Sequence, residues 1–322
     1  MSTMEHVLIT GANGALGSAV VRCAQAAGLG VRAFVLEGSA LGPLEDIDVE
    51  VLWGDVRDVA SLEAAFSDVE LCIHTAGDTS FYRGDRSRLR AVNAGGTKNV
   101  VSVASRRGVR RLVYTSSVGA VGHDPSGREV DEDESWNWPP GLAYMETKRD
   151  GEAAALSAAN DAFEVVALCP CTIFGPGPLN PGDEEIVEAL RTRRLFFAPP
   201  GGTTLCDVVD VAEAHVAALE RGRSGQRYIL GGPSVSYAKL FRALARALGV
   251  SPPRFTLPLP IARASAVGLA RLEDLGLRPP VPAAAVLLSS MHLYYSSERA
   301  VTTLGYRVRT LEDIARRTAS GH

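Results

Sequence analysis

Short apolar runs alternate with helical patterns through the first half of the chain, and this alternation constrains the fold more than any other feature. The runs are rich in β-branched residues, and glycine or polar residues end most of them. Strands that alternate with helices at this spacing indicate a parallel sheet that is covered on both faces. Because crossovers between parallel strands are right-handed, the simplest topology is a doubly wound α/β (Rossmann) fold. The predicted strands lie at 6–11, 31–36, 49–55, 69–77, 109–117 and 163–170.

The segment TGANGALG follows the first predicted strand and opens the first predicted helix. Its glycines, Gly11, Gly14 and Gly17, let the backbone turn tightly and approach a pyrophosphate, while the helix presents free N–H groups and its positive end. A glycine pattern alone is weak evidence, but its place in the first βαβ unit is the context that a dinucleotide site requires. A tight turn without a ligand is the less favoured alternative.

Three further features fit such a site, although each of them alone is more often structural. Asp55 ends the third predicted strand, where its carboxylate could accept a hydrogen bond from an adenine amino group. The small residues Thr75, Ala76 and Gly77 end the fourth strand and would let a cofactor pass close to the backbone. Asn93 lies inside a predicted helix, where its amide could hold a bend or a water molecule.

The second half of the chain has a different sequence pattern, in which loops rich in proline and glycine separate short predicted helices. The run QRYILGG (226–232) is predicted to be one more strand of the main sheet. We therefore predict a dinucleotide-binding Rossmann domain at 1–170, to which 207–232 returns. Residues 171–206 and 233–322 are predicted to form a smaller, mostly helical, substrate-binding lobe over the carboxyl ends of the strands.

Charge and composition exclude several classes of partner. The formal net charge of the 322-residue chain is −4, so no basic field predicts a nucleic acid or a membrane surface as a partner. The most apolar late stretch, 281–295, is shorter than the roughly 20 residues that a membrane span requires. The N-terminal segment leaves no room for a signal peptide, so we expect a cytoplasmic protein. Five scattered cysteines and six dispersed histidines show no metal-ligand spacing, and we predict no metal site.

The predicted helix LAYMETKRDGEAAAL (142–156) carries Tyr144 and Lys148 four residues apart, which places them on the same face. The unperturbed pKa of a tyrosine is about 10, so the residue is a poor base at neutral pH. A neighbouring ammonium and the positive ring of an oxidised nicotinamide would lower that pKa, and Tyr144 could then exchange a proton with a substrate oxygen. A chance pair whose tyrosine only packs is the alternative.

TGxxGxxG near the amino terminus, the strand end TSS and the YxxxK pair together resemble the extended short-chain dehydrogenase/reductase superfamily, the NAD-dependent epimerase/dehydratase family, over about residues 6–232. The tail at 294–315 is similar as well. VRRLVYTSSVGAVG, CPCTIFGPG and LCDVVDVAEAHVAALERG resemble its dihydroflavonol-4-reductase-like branch. The resemblance implies a catalytic triad of Ser117, Tyr144 and Lys148, in which Ser117 hydrogen-bonds the substrate oxygen and Lys148 also holds ribose hydroxyls. The cofactor positions that we predict are Gly11, Asn13, Gly14, Ala15, Leu16, Gly17, Leu36, Glu37, Asp55, Val56, Thr75, Ala76, Gly77, Thr115, Tyr144, Lys148, Pro170, Thr172 and Ile173.

The choice between NAD and NADP depends on the residues after the second predicted strand. The branch often has an arginine there that holds the 2′-phosphate of NADP, whereas this chain has Leu36 and Glu37. An acidic side chain would repel that phosphate and could accept hydrogen bonds from a ribose hydroxyl, which favours NAD. Arg32 lies nearby in the sequence, so NADP stays open.

The substrate is expected between the strand ends and the smaller lobe. The candidate wall is aromatic and apolar, although core packing is an equal alternative for each aromatic residue. The substrate-binding residues that we predict are Thr79, Phe81, Val118, Trp136, Phe174 and Phe197.

Three functions are compatible with these features. The first is an NAD(P)-dependent oxidoreductase that acts on a fairly hydrophobic ketone, aldehyde or alcohol. The second is a nucleotide-sugar epimerase or dehydratase, which uses the same triad and retains its NAD. Sugar-nucleotide members commonly have an arginine after the YGP segment, where FGPGPLN has Gly177, and this favours the reductase. The third is a non-catalytic redox sensor, although such proteins usually lack the tyrosine–lysine pair. A homodimer is common among relatives and is left open here.

Overall fold

A parallel sheet of seven strands forms the centre of the protein. The computed structural model describes residues 5–321, so residues 1–4, on which the expectation of no signal peptide partly rests, lie outside the described range. The strands are β1 (His6–Thr10), β2 (Gly30–Val35), β3 (Glu50–Trp53), β4 (Leu71–His74), β5 (Arg111–Thr115), β6 (Glu164–Pro170), β7 (Thr172–Phe174), β8 (Phe197–Ala198), β9 (Gly202–Asp207), β10 (Arg227–Leu230), β11 (Ser234–Ser236), β12 (Phe255–Thr256) and β13 (His292–Leu293). The α-helices are α1 (Ala15–Ala26), α2 (Val59–Ala65), α3 (Arg86–Leu89), α4 (Thr97–Arg106), α5 (Ala143–Leu156), α6 (Pro181–Arg191), α7 (Val208–Arg221), α8 (Tyr237–Ala247), α9 (Leu259–Asp274), α10 (Ala283–Ser289), α11 (Glu298–Leu304) and α12 (Leu311–Ser320).

The strand order of the main sheet is β3-β2-β1-β4-β5-β6-β10, and every neighbouring pair is parallel. This doubly wound Rossmann arrangement confirms the predicted fold class. The run 226–232 supplies β10, which pairs with β6 as the predicted returning strand. The strand order reverses between β1 and β4, and a crevice for ligands forms at such a point, outside the carboxyl ends of the strands.

Helices cover both faces of the main sheet and create two separate cores. Successive side chains of a strand point to opposite faces. Val7 and Ile9 of β1 therefore pack in one core, together with Val20 of α1, and Leu8 packs in the other, together with Leu62 of α2. Burial on both faces explains why the strands are continuous apolar runs rather than alternating ones.

The helix predicted at 86–108 is interrupted by a π-helical stretch, Arg90–Gly96, between α3 and α4. Asn93 lies in this stretch, and its amide oxygen accepts a hydrogen bond of 2.7 Å from the backbone N–H of Asp78. Its amide nitrogen donates to the carbonyl of Asp78 at 2.9 Å and to the hydroxyl of Thr147 at 3.2 Å. Asn93 therefore holds the bend, one of the two roles that the sequence suggests, and it ties the loop after β4 to α5.

The smaller lobe combines helices with a sheet that the sequence did not predict. In this sheet β9 pairs with β7, β11 and β13, and a second pair joins β8 to β12. Several of these strands have only two or three residues, too few for a periodic pattern to show. The division of the chain at 170, 206 and 232 stays a prediction. The lobe has its own core, which includes Phe174, Leu205, Phe241, Leu244 and Ile314.

The helices of the described range are short. The longest of them, α9, has 16 residues, whereas a membrane span requires about 20. Within residues 5–321, no helix combines the length and the apolar character that crossing a membrane demands.

Asp207, the last residue of β9, joins the main domain to the end of the chain. Its side chain is fully buried and caps α7 by accepting a hydrogen bond of 2.9 Å from the N–H of Val209. The same carboxylate accepts a hydrogen bond of 2.7 Å from Nε of Arg317 on α12. Arg309 lies 3.9 Å from it.

The first prediction concerns this buried carboxylate. Asp207→Ala should lower the free energy of unfolding by roughly 2–4 kcal/mol, because it removes a helix cap and a charge-assisted hydrogen bond. Urea unfolding followed by circular dichroism measures the change. As a control, Asp46→Ala breaks an exposed ion pair with Arg22 and should leave stability nearly unchanged, because solvent screens such pairs. Equal losses in the two variants would contradict the structural role of Asp207.

Candidate active site

The glycine turn after β1 packs backbone directly against backbone. Gly11 has a φ of +66°, and a Cβ atom there would lie 2.7 Å from Cα of Ala76. A Cβ atom on Gly17 would lie 2.0 Å from the carbonyl oxygen of Gly11. Gly14 precedes α1 without a side-chain cap, so the first N–H groups of that helix are available to an anion. The turn therefore fits the phosphates of a dinucleotide.

A cavity of about 1280 Å³ lies over the carboxyl ends of the strands, between the main sheet and the smaller lobe. Pockets that bind one small ligand measure roughly 300–1,000 Å³, so a cavity above that range has room for a dinucleotide and a substrate together. The predicted cofactor residues that line it are Gly11, Asn13, Gly14, Ala15, Leu16, Gly17, Leu36, Asp55, Val56, Thr75, Ala76, Gly77, Thr115, Tyr144, Lys148, Pro170, Thr172 and Ile173.

One end of the cavity lies against the loop after β2. Leu36 and Ser39 line this end. Nδ2 of Asn13 donates hydrogen bonds of 2.8 Å to the hydroxyl of Ser39 and to the carbonyl of Ala40. Asn13 therefore joins the loop to the glycine turn, and the sequence had suggested only that it belongs to the cofactor site.

Two residues that entered the choice between NAD and NADP lie outside this wall. Glu37 is exposed beside Leu36 and does not line the cavity. Arg32 is part of β2 itself, where its Nε donates to Glu50 of β3 at 2.8 Å and its guanidinium also bonds the carbonyl of Ser67. The side chain of Arg32 is therefore engaged along the sheet rather than at the strand end, and the choice between NAD and NADP stays a prediction.

Asp55 lines the cavity at the end of β3, next to Arg57, which the sequence did not single out. Nε of Arg57 donates to Oδ2 of Asp55 at 2.9 Å, and the backbone N–H of Arg57 donates to Oδ1 at 2.8 Å. The hydrogen bond from the guanidinium is the main cause that lowers the pKa of Asp55. The carboxylate stays charged and keeps further lone pairs for an adenine amino group.

Ser117, Tyr144 and Lys148 meet in the wall of the same cavity. The hydroxyl of Ser117, just after β5, accepts a hydrogen bond of 3.1 Å from the N–H of Gly119. The Ser117 side chain is also close enough to the phenol of Tyr144 to lower its pKa. Nζ of Lys148 donates to the carbonyl of Thr115 at 2.8 Å. One strand end and one helix, α5, therefore hold all three side chains.

Burial dominates the ionisation of this group. Desolvation lowers the pKa of Lys148 to about 8. Desolvation also raises the pKa of Tyr144, and the nearby side chain of Ser117 offsets this only in part. The sequence predicted a lowered tyrosine pKa from the neighbouring ammonium and an oxidised nicotinamide. The protein residues by themselves do not produce that lowering, because taking the phenolate out of water is the larger effect.

A buried histidine supports the residue that holds Lys148. The hydroxyl of Thr115 lies 2.8 Å from Nε2 of His215, and Nδ1 of that ring lies 2.8 Å from the carbonyl of Val211. Desolvation lowers the pKa of His215 to about 4, so the ring is neutral at neutral pH. Since a carbonyl only accepts, Nδ1 carries the proton and Nε2 accepts from Thr115.

The predicted substrate residues divide into two groups. Thr79, Phe81, Val118 and Phe197 line the cavity, and the ring centroid of Phe81 lies 5.1 Å from that of Tyr144.

Trp136 and Phe174 do not line the cavity, contrary to expectation. Phe174 is 1% exposed and packs in the core of the smaller lobe with Leu205 and Phe241, whereas Thr172 and Ile173 line the cavity. Nε1 of Trp136 donates to the carbonyl of Gly119 at 3.2 Å, and the guanidinium of Arg149 stacks on its ring at 4.3 Å.

Several lining residues were missed by the sequence reasoning. The most informative is Asp183 in the first turn of α6, whose pKa desolvation raises to about 7. Its signal is weak, because an acidic residue at a helix start usually only complements the helix dipole. Others are Met145, Leu179, Ile186, Thr203, Tyr237 and Val286.

The second prediction uses the pKa of Lys148. Its ordinary value is 10.5 and its folded value is about 8, so between these pH values the unfolded chain binds more protons than the folded protein does. The free energy of unfolding should therefore rise with pH across this window, relative to that of Lys148→Met. Urea unfolding of both proteins from pH 7.5 to 10.5 measures the difference, in which the other titrating groups cancel.

The matched control is Lys98→Met, which removes an exposed lysine of α4. The difference in the free energy of unfolding between the wild type and Lys98→Met should not change over the same pH range. A flat difference for Lys148→Met as well would show that its ammonium has an ordinary pKa.

The chain is similar in sequence to a known protein family and to named relatives. A sequence model of the NAD dependent epimerase/dehydratase family matches residues 7–231, which span the main sheet from β1 to β10. A Synechocystis sp. protein, whose name assigns it provisionally to the dihydroflavonol 4-reductases, is 33% identical over 306 residues, covering 92% of this chain and 88% of the relative. Sterol demethylase protein B of Methylococcus capsulatus is 34% identical over 272 residues, covering 83% of this chain and 80% of the relative.

A solved structure is similar over nearly the whole length. The crystal structure of gox2253 matches with a TM-score of 0.85 at 28% identity, covering 98% of this chain and 97% of that chain. Sequence and fold thus agree over both the main domain and the smaller lobe. The chain belongs to the NAD-dependent epimerase/dehydratase family and is an NAD(P)-dependent enzyme of the extended short-chain dehydrogenase/reductase type.

Proposed function

We propose that this protein transfers a hydride between a nicotinamide cofactor and a hydrophobic ketone, aldehyde or alcohol. The observation that carries the proposal is the presence of Ser117, Tyr144 and Lys148 in the same cavity as the glycine turn. The relative named for a dihydroflavonol reductase supports it, because that name describes a reductase.

Each member of the triad has a distinct task. In the reductive direction the hydroxyl of Tyr144 gives its proton to the carbonyl oxygen of the substrate, and in the oxidative direction the phenolate takes the proton back. Ser117 donates a hydrogen bond to that oxygen and stabilises the charge that develops there. Lys148 would hold the ribose of a bound cofactor, and its positive charge would favour the phenolate. The nicotinamide, when bound, supplies or accepts the hydride.

The wall beside the triad favours an apolar substrate. Burying apolar atoms against it stabilises a complex by about 25 cal/mol for each Å² removed from water. A diphosphate would need cations in the part of the described wall that the smaller lobe forms, and that part contains the acidic residues Asp183 and Glu185 against one arginine, Arg194. The sequence also has Gly177 at the position where sugar-nucleotide members commonly have an arginine. The apolar residues of the wall include Phe81, Leu179, Ile186, Phe197, Val286 and Leu293.

The second candidate function is a nucleotide-sugar epimerase or dehydratase with a retained cofactor. The observation in its favour is Arg194, a cation that the smaller lobe contributes to the described wall. We favour the reductase, because Arg194 lies in an exposed segment and a desolvated aspartate shares the same wall.

The third prediction tests the triad. Tyr144→Phe should reduce kcat by roughly 10²–10⁴-fold with aldehydes or ketones, because it removes the proton donor. The absorbance of the reduced nicotinamide follows the reaction. Tyr82→Phe is the matched control, since the hydroxyl of Tyr82 bonds the carbonyl of Pro279 at 2.9 Å outside the cavity, and it should keep kcat within about twofold.

Other outcomes would favour other functions. A loss of less than tenfold in Tyr144→Phe would contradict acid–base catalysis by this residue. Cofactor that stays bound through purification, with turnover of a nucleotide sugar and no net oxidation or reduction, would favour the epimerase. Cofactor binding without any turnover would favour the redox sensor.

We also propose that the enzyme prefers NAD to NADP. At the strand end after β2 the described wall offers Leu36 and Ser39, with exposed Glu37 beside them. Arg57 is the nearby cation that lines the cavity, and Asp55 already engages it. A 2′-phosphate at this strand end would therefore lie near the acidic side chain of Glu37. Among the described residues, the nearby arginine that lines the cavity, Arg57, is already paired with Asp55.

The fourth prediction follows from this arrangement. Calorimetry should give a Kd for NADH at least about tenfold lower than for NADPH, and Leu36→Arg should narrow or reverse that ratio by adding a cation. Equal or tighter binding of NADPH by the wild type would contradict the proposal. In that case a selective loss of NADPH affinity in Arg57→Ala would show that Arg57 leaves Asp55 to bind the phosphate.

We further propose that the protein is cytoplasmic and binds a small-molecule substrate, with neither nucleic acid nor membrane as a partner. The formal net charge of −4 supports this, since it offers no general attraction to polyanions. A homodimer stays a prediction that rests on the resemblance alone.

A further inference from the structure

A second cavity lies on the far side of the wall that contains Tyr144. Its volume is about 370 Å³. The rings of Phe81 and Tyr144 line this cavity as well as the larger one that contains the triad, and their centroids lie 5.1 Å apart. At this point a wall that is one side chain thick separates the two spaces. We call the second space the rear cavity.

Helix α10 forms another part of the partition. Ala284 and Leu287 line the rear cavity, whereas Val286 and Ser289 line the larger one. Because residues three apart lie on the same face of a helix, α10 presents one face to each space. The rear cavity is therefore separate from the cavity in which we expect the cofactor and the substrate, and the proposed reaction does not use it.

The wall of the rear cavity is largely apolar, and small residues leave its space open. On α9, Ala266 and Ala270 line it one turn apart. Protein interiors contain few voids larger than a water molecule, since unfilled space loses dispersion contacts. A volume of 370 Å³ exceeds the roughly 300 Å³ at which pockets for small ligands begin. An apolar ligand would restore those contacts. The other apolar residues of the wall include Leu89, Pro139, Pro140, Leu142, Val267, Ala283 and Leu287.

Apart from Tyr144, the polar side chains of this wall already have partners, with one exception. The hydroxyl of Ser80 donates to a carboxylate at 2.6 Å, and the hydroxyl of Tyr82 donates to a backbone carbonyl at 2.9 Å. The guanidinium of Arg83 donates to a carboxylate of α9 at 2.8 Å. The exception is Arg263 of α9, which is exposed at the edge of the cavity and has no hydrogen bond or ion pair with any described residue.

The rear cavity is open to solvent on the side of Arg263. Val267, one turn further along α9, is 56% exposed, and Pro139 and Pro140 are exposed as well. A ligand can therefore enter without passing through the larger cavity. Within residues 5–321 no aspartate or glutamate lines this space, so an anion at the edge would meet a guanidinium without a competing carboxylate in the wall.

We infer that the rear cavity binds a small apolar molecule that carries one negative charge, such as a medium-chain carboxylate, and that Arg263 binds its charged end. The apolar body replaces water against the alanine and leucine side chains, which supplies most of the binding free energy. The charged end stays at the solvent edge, so little desolvation opposes its contact with the guanidinium. This site goes beyond the proposed function, and its ligand would lie against the ring of Tyr144 from behind.

The fifth prediction tests the rear cavity by binding rather than by turnover. The probes are decanoate and its neutral counterpart decan-1-ol, each titrated by calorimetry into protein that is saturated with NADH. Neither probe can accept a hydride from NADH, so no reaction accompanies binding. Decanoate should bind with a Kd about two- to fivefold lower than that of decan-1-ol, which is the effect of an ion pair at an exposed position.

The variants assign the two parts of the ligand to residues of α9. Ala270→Phe adds a ring to the wall and should raise the Kd of both probes at least about tenfold, because the space is then filled. Ala264→Phe adds the same ring at an exposed position that lines neither cavity and should leave both Kd values unchanged. Arg263→Gln should bring the ratio of the two Kd values close to one. Arg271→Gln, which removes an exposed arginine outside both cavities, should keep the wild-type ratio.

Several results would overturn the inference. One is a wild type that binds neither probe saturably. Another is an Ala270→Phe variant that binds both probes as tightly as Ala264→Phe does, since the probes would then occupy the larger cavity or the surface. Equal Kd values for the two probes, or a preference for decanoate that survives Arg263→Gln, would also overturn it. Arg263→Gln changes an exposed side chain and provides the test if Ala270→Phe does not fold by circular dichroism.

These outcomes do not depend on the proposed reaction. Binding of the probes is measured without turnover, so the rear cavity can be established in a protein that reduces no ketone. Turnover that requires Tyr144, in a protein that binds neither probe, would leave the reductase and remove the rear cavity as a binding site.

Discussion

The contact of the glycine turn with its own chain and with the end of β4 sets the position of everything else in the site. The carbonyl of Gly11 occupies the space where a side chain on Gly17 would begin, and Ala76 fills the corresponding space beside Gly11. Because nothing larger than hydrogen fits there, α1 lies close to the sheet and its first N–H groups open into the cavity. The reversal of strand order between β1 and β4 leaves the crevice at that point.

Tyr144, Lys148 and Asp183 are three of the titratable groups that line the cavity, and burial shifts the pKa of each of them. Burial disfavours the charged form of each, which lowers the pKa of Lys148 and raises those of Tyr144 and Asp183. Interactions between charges are stronger there than in water, so an ionised Asp183 opposes a phenolate on Tyr144 whereas an ammonium on Lys148 favours it. The pKa of Tyr144 thus depends on the charges of Lys148 and Asp183, and therefore on the ligand groups that lie beside them.

Much of the cofactor side of the site could be read from the sequence, since its residues follow strands and parallel strands end at one edge of a sheet. Thr75, Thr115 and Pro170 are examples. The substrate side was harder, because its residues come from short loops and helices whose relative positions depend on packing. Phe174, which the sequence suggested for the substrate site, packs in a core. Asp183, which in the sequence looks like an ordinary first-turn residue of a helix, lines the cavity.

The sequence by itself determined the doubly wound fold, the glycine turn and the spacing of Tyr144 and Lys148 on one helix face. Periodicity and spacing are local properties, so they can be read from one segment without knowing what packs against it. Only the tertiary structure decided what surrounds them. It buried Lys148 against the carbonyl of Thr115, paired Arg32 with Glu50, and placed Asp183 in the cavity wall without an ion-pair partner among the described residues. Desolvation and charge pairing depend on residues far apart in the chain, so no local pattern carries that information.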